Sequence, residues 1–206
     1  ELGFETDALI SHVDITPTLL DFAGALDRDE NAPKYPLDAA EFYRGDDLAS
    51  TEHRDGGEPF DHYHGKSWMP CLSDPDVPHH ESVFASHTFH EIQMYYPMRV
   101  IRDNQYKLIW NIAHPLPYPF ASDLWAASTW QARYREGKDA NYGNKTVGEY
   151  IQRPEFELFD IRADPGETTN LADDPNHTGV LSTYQKALRD MQTRFDDPWV
   201  LKWKYE

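Results

Sequence analysis

The 206 residues predict a mixed fold, α/β in class and α+β in the arrangement of its own elements: a small antiparallel sheet packed against a C-terminal helix. Three stretches carry that reading. MRVIRD at 98–103 and QYKLIWNI at 105–112 alternate as the two arms of a hairpin turning at Asp103-Asn104. EFELFDI at 155–161 repeats the alternation as a further strand. From about Asn176 to Phe195, residues Leu181, Tyr184, Leu188, Met191 and Phe195 recur at i, i+3, i+7, i+10 and i+14, which is one apolar stripe along a helix.

The first element is SHVDITPTLLDFAG, 11–24. Asp14 or Thr16 can cap its free N–H groups, Pro17 is tolerated in a first turn, and Gly24 supplies a stop. Ile15, Leu19 and Phe22 fall at helical spacing. Residues 25–62 are acidic, rich in Pro, Gly and Asp, and lack periodicity, which predicts a long surface connection. HGKSWMPCLSD at 64–74 reads as a short apolar turn, DPDVPHH at 74–80 as a loop, and SVFASH at 82–87 as the strand that opens the sheet.

In the hairpin, Tyr106, Leu108 and Trp110 share one face, and Lys107, Ile109 and Asn111 the other. In the last strand, Phe156, Leu158 and Asp160 oppose Glu157, Phe159 and Ile161. Between the strands, 113–137 begins as a Pro- and aromatic-rich loop and turns helical from Ser122 or Asp123. Asp164-Pro165 and Gly166 favour a turn after the last strand, Asn170 can bond nearby backbone, and Asp197-Pro198 ends the final helix. There is no internal repeat or low-complexity tract.

The formal charge of -17 argues against nucleic acid and against anionic membranes, both of which need a basic surface. An anionic ligand would need local cations, and Arg99, Arg102, Lys107 and Lys138 are the mid-chain candidates. No run approaches the roughly 20 apolar residues of a membrane span. Starting at Glu1-Leu2-Gly3, with no Met and no signal peptide, the chain is expected to be a processed product or an excised piece of a longer one, and its compartment is left open. The single Cys71 excludes an intrachain disulfide.

Four collinear blocks resemble one family, the sulfatases. SHVDITPTLLDFAG is similar to the helix that follows the catalytic half, and HGKSWMPCL to the short G-K/R-S-hydrophobic-x-P segment after it. RDNQYKLIWNI is similar to the next strand pair, and ELFDIRADPGETTNLA to the closing strand and turn. SHTFHEIQMYYPMRVIRDNQYKLIWNIA, PYPFASDLW and FDDPWV most resemble the heparan N-sulfatase-like subgroup. The resemblance implies the C-terminal portion of an alkaline-phosphatase-like fold. Residues 1–80 would be the tail of the large catalytic domain, and 81–206 the small-sheet subdomain.

The resemblance also implies chemistry carried elsewhere in a parent enzyme. Sulfatases use a formylglycine made from Cys or Ser in a C/S-x-P-x-R motif, together with a divalent cation, usually calcium. Cys71 is followed by Leu72-Ser73-Asp74-Pro75, without the motif's Pro and Arg, and reads as a packing cysteine. Asp46-Asp47 and Asp173-Asp174 read as solvated acidic pairs. No catalytic residue, metal ligand or cofactor is therefore assigned within this chain; calcium and formylglycine belong to the implied parent.

The substrate-binding candidates are His90, Glu91 and Arg99. By resemblance, the segment holding His90 and Glu91 reaches toward the catalytic pocket, where Glu91 could accept from sugar hydroxyls and His90 could donate. A surface His-Glu pair at a strand entrance is the plain alternative. Arg99 meets an acidic sugar or forms a structural ion pair. His79, His80, His87 and His90 lie close in sequence, but the segment reads as loop and strand, with no second cluster at ligand spacing. The aromatics Trp110, Tyr118, Phe120, Trp125 and Trp130 could stack on sugars, although a packed core explains them as well.

The expected function is thus the C-terminal portion of a sulfatase acting on a sulfated sugar, with N-sulfoglucosamine favoured, inactive alone. The expected partners are the N-terminal catalytic part of the same protein and a sulfated saccharide. Exposure of the face of the 11–24 helix would favour a homo-oligomer or dependence on that part. The alternative is a noncatalytic carbohydrate-binding or interaction module. Relatives by resemblance are commonly lysosomal, periplasmic or secreted.

Overall fold

The computed structural model describes residues 3–24, 65–90 and 94–205. The acidic connection expected at 25–62 and the candidate Glu91 lie outside the described residues. Two compact units divide the chain, Glu1–Val83 with Arg189–Glu206, and Phe84–Leu188.

In the first unit, a short 3-10 turn at His12–Asp14 leads into helix α1, Ile15–Phe22, which stops at Gly24 with its positive φ. The buried face of α1 is polar. Thr18 Oγ1 donates to the Asp14 carbonyl at 2.7 Å and accepts the Trp68 N–H at 3.1 Å. Ser67 Oγ donates to the Asp21 carboxylate at 2.6 Å, and the Lys66 N–H bonds Asp14 Oδ1 at 2.9 Å. Asp14, Thr18 and Asp21 recur every three or four residues, so one face of the helix clips the 66–68 segment through two backbone N–H groups and the Ser67 hydroxyl. The apolar stripe consequently points outward, with Leu19 62% and Phe22 76% exposed. A 3-10 turn at Met69–Leu72 follows and buries Cys71, a free thiol, as the packing role requires.

The second unit holds a four-stranded sheet in the order β1-β2-β3-β6, with β1 (Val83–His87) at the unit boundary, β2 (Met98–Arg102), β3 (Tyr106–Asn111) and β6 (Phe156–Asp160). β2–β3 and β3–β6 are antiparallel, in the register Ile101↔Leu108↔Leu158 and Arg99↔Trp110↔Phe156. The hairpin turns where expected: the Asp103 N–H bonds the Tyr106 carbonyl at 3.0 Å, and Asp103 Oδ1 accepts the N–H groups of Gln105 and Tyr106, each at 2.7 Å.

Helix α5, Thr178–Arg194, follows a 3-10 turn at Pro175–His177, and its stripe turns inward, with Leu188 fully buried. Tyr184 and His177 contact the ring of Tyr106, so the helix covers the face carrying Tyr106, Leu108 and Trp110. The opposite face is also mostly closed, with Asn111, Glu157 and Phe159 buried.

The 113–155 excursion is more structured than the sequence predicts. The helical half splits into α2 (Ser122–Ala126) and α3 (Ser128–Glu136) around Ala127. A two-stranded hairpin, β4 (Asn141–Tyr142) with β5 (Lys145–Thr146), and helix α4 (Val147–Ile151) were not anticipated. They close on Trp130, which is wholly buried among Phe120, Tyr134, Tyr142 and Tyr150. Of the aromatics weighed as sugar platforms, Trp110 and Trp130 are therefore core and Tyr118 and Phe120 half-buried, while Trp125, stacked on Phe120, keeps nearly half its surface.

Candidate functional site

Strand β1 delivers the segment that holds His90. His87 Nδ1 lies 2.9 Å from the Tyr96 carbonyl, and the Tyr96 N–H bonds the Thr88 carbonyl at 2.9 Å, pinching the base of this loop. His90 is exposed. Arg99 is only 4% exposed; its Nη1 donates to the His87 and Met98 carbonyls at 3.0 and 2.8 Å. The structure thus joins Arg99 to the base of the loop and leaves His90 exposed. Of the other cations considered, Lys107 is ion-paired with Glu167, and Arg102 and Lys138 are exposed.

A second cluster lies in the first unit. Asp14 is fully buried, and both its oxygens are engaged. The Ser11 N–H bonds Oδ2 at 2.7 Å and the Lys66 N–H bonds Oδ1 at 2.9 Å. His80 Nε2 sits 2.9 and 3.0 Å from the two oxygens. His79 Nε2 lies 3.3 Å from Oδ2, but the contact lacks hydrogen-bond geometry and this buried nitrogen has no hydrogen-bond partner. Burial pushes the Asp14 carboxyl up, yet the hydrogen bonds from Ser11, His80 and Lys66 outweigh it and leave the carboxyl below its ordinary value. Burial, then the neighbouring His80, holds His79 below the usual imidazole value.

An isolated bridge between Leu9 and His80 fixes the backbone here, and Lys66 Nζ donates to the His79 carbonyl. Sequence reasoning grouped His79 and His80 with His87 and His90; it missed their partner because Asp14 lies 66 residues before His80. The G-K-S block is the one local signal. A Cβ on Gly65 would stand 2.3 Å from the Val13 carbonyl oxygen and 2.5 Å from Asp14 Oδ1, so only glycine lets this backbone seat against Asp14.

The machinery of sulfate-ester chemistry does not fit these residues. Among the described residues, Asp14, His79 and His80 form the one group of three close enough to hold a metal ion, and calcium takes roughly 6–8 oxygen ligands. Ser73 is followed by Pro75 but by Val77 where the formylglycine motif needs Arg, and Cys71 lacks both the Pro and the Arg.

The four blocks identified in the sequence occupy α1, the 65–72 clip, the β2–β3 hairpin and β6 with its turn. In these blocks the chain is similar to the C-terminal portion of the sulfatases. The particular relative is human N-sulphoglucosamine sulphohydrolase (Homo sapiens), 30% identical over 201 residues, covering 96% of this chain and 35% of that protein. The chain therefore spans about a third of the length of the curated relative it matches. No family model matches.

Among solved structures, the chain is similar to a 2-O GAG sulfatase, with a TM-score of 0.48 and 20% identity over 90% of this chain and 25% of that one. It is also similar to a protein solved with its substrate D-glucosamine-2-N,6-O-disulfate, with a TM-score of 0.45 and 16% identity over 89% of this chain and 24% of that one.

Proposed function

We propose that this chain is the C-terminal portion of a sulfatase that hydrolyses sulfate ester or sulfamate groups on a sugar, N-sulfoglucosamine being the favoured unit. It supplies scaffold and pocket wall and is inactive alone. The formylglycine and calcium of the parent reside in the catalytic portion. His90 and Glu91 face the sugar, and Arg99 orients their loop through the His87 carbonyl.

The observation that carries this reading is the outward stripe of α1, Ile15, Leu19 and Phe22, on a chain that spans 35% of a relative it matches at 30% identity. A helix whose polar face is buried and whose apolar face is wet is built to be covered. Its occupant is the catalytic portion of the same enzyme. Residues 1–80 then form the tail of the large domain, and 81–206 the small-sheet subdomain.

Complementation tests this. The chain alone should hydrolyse neither an aryl sulfate nor N-sulfoglucosamine, and activity should appear when it is co-expressed with a catalytic portion of this family. Leu19→Asp should abolish that rescue while the isolated chain stays folded. Turnover by the chain alone, with contaminants excluded, would defeat the proposal.

The exposed Trp125 favours one alternative, a carbohydrate-binding module. Saturable binding of heparan-type oligosaccharides by the isolated chain, lost in Trp125→Ala, would establish it in place of the pocket-wall reading.

A further inference from the structure

We propose that Asp14, His79 and His80 form a binding site for a divalent transition-metal ion, with zinc as the best match. The donor set is one carboxylate and two imidazoles, which suits zinc and its neighbours rather than calcium or magnesium. The three ligand atoms lie within 4.8 Å of one another.

Geometry supports the assignment. Bonds of about 2.0–2.1 Å in a tetrahedron put neighbouring donors about 3.3–3.4 Å apart. His79 Nε2 and Asp14 Oδ2 are separated by 3.3 Å. His80 Nε2, at 2.9 and 3.0 Å from the two oxygens, needs to retreat by a few tenths of an ångström, and at 22% side-chain exposure it has room to do so. The fourth position falls to water.

The state of His79 Nε2 points to the same ion. A buried imidazole nitrogen without a hydrogen-bond partner, on a side chain 4% exposed, calls for an explanation, and an ion is one. In a simple Asp14–His80 ion pair, His79 has no task, and its burial against Asp14 remains a cost.

The surroundings are those of a supported ligand set. Backbone N–H groups of Ser11 and Lys66 orient the Asp14 oxygens, as outer partners do in metal sites. The bridge to Leu9 holds His80, and the edge-on packing of the two imidazoles, 4.4 Å between centroids, keeps both rings turned to one carboxylate. Lys66 works against a cation, but its ammonium is bound to the His79 carbonyl.

The test uses the whole chain, stripped with chelator and then titrated with Zn²⁺ and, separately, Co²⁺. We expect uptake of about one equivalent, cobalt visible bands of tetrahedral intensity, and a melting temperature that rises with free zinc. His79→Gln and His80→Gln should each lose the cobalt spectrum and the zinc-dependent rise, while His114→Ala keeps both. Near-UV circular dichroism verifies that each variant is folded. A folded wild-type chain that takes up no metal, or uptake that survives in the folded His79→Gln and His80→Gln variants, overturns the proposal. So does a cobalt spectrum of octahedral weakness. None of these readouts depends on sulfatase activity, so the site and the pocket-wall reading fail separately.

Discussion

Tyr184 on α5 donates its phenolic hydrogen to the Asp103 carboxylate in the β2–β3 turn, joining residues 81 positions apart. The same carboxylate already closes the turn through the N–H groups of Gln105 and Tyr106. One aspartate therefore fixes the hairpin and docks the helix on it. Burial pushes the Asp103 carboxyl up, but the bonds from Tyr184, Tyr106 and Gln105 outweigh it and hold the carboxyl below an ordinary 3.8. Burial, then the bond to Asp103, pushes the Tyr184 hydroxyl the other way.

Tyr184→Phe removes the helix-borne donor and leaves the turn bonds in place. We expect a loss of about 1–3 kcal/mol in urea unfolding near neutral pH. The sign with pH follows from the depressed folded value. The stabilisation is complete above the unfolded carboxyl value and is lost as pH falls through the lower folded one. In Tyr184→Phe the folded value rises toward 3.8, so the stability gap between wild type and variant should narrow on acidification. A gap that widens at low pH would show that the bond does not act on the carboxylate.

Asn170 protects the outer edge of the sheet. Strand β6 is terminal, and the Asn170 side chain accepts the Leu158 N–H at 2.8 Å while donating to the Phe156 carbonyl at 3.0 Å. Among the described residues β6 ends the sheet, and an amide thus imitates a neighbouring strand there. Asn170→Asp keeps the acceptor and loses the donor, whereas Asn170→Ala loses both. Expected costs are about 1 kcal/mol and about 2–3 kcal/mol, with faster amide exchange at Leu158 only in the alanine variant. Equal exchange in both variants would show that the Asn170 side-chain oxygen is not what protects the Leu158 N–H.

What could be read in advance follows from range. The hairpin, β6 and α5 have their signals inside windows of a few residues, and each stands where expected. The packing of Trp130 did not announce itself, because β4 and β5 are two residues each and α4 is one short turn after Thr146, too brief for any period. For α1 the period was correct, and the structure decided which side of it meets solvent. The apolar residues were visible at once, but the polar stripe Asp14, Thr18 and Asp21 acquires meaning only when 66–68 is laid against it. The pairing of Asp14 with His79 and His80 was hidden for the same reason.

Gly65→Ala tests that clip directly. The new methyl would meet backbone at 2.3 Å, which no side-chain rotation relieves. We expect a loss of about 2–4 kcal/mol in the first unit, with the Thr18–Trp68 bond weakened and Cys71 more reactive to thiol reagents. Unchanged thiol reactivity in a destabilised variant would place the strain elsewhere.

The sheet face opposite α5 buries a charge. Glu157 is buried, with Oε1 3.2 Å from Lys145 Nζ and Oε2 accepting from Asn111 Nδ2 at 3.3 Å. Lys145 is 38% exposed, so solvent screens part of the attraction. Lys145→Met should nevertheless cost about 1–3 kcal/mol, because it strands a carboxylate in the core with one amide for company. Glu157→Gln keeps the shape and the Asn111 contact without the charge. Introduced into Lys145→Met, it should recover most of the loss, giving a double-mutant cycle with strong coupling. Additive costs would mean that Lys145 stabilises the sheet through its contact with the Phe159 ring, 5.6 Å away, rather than through Glu157.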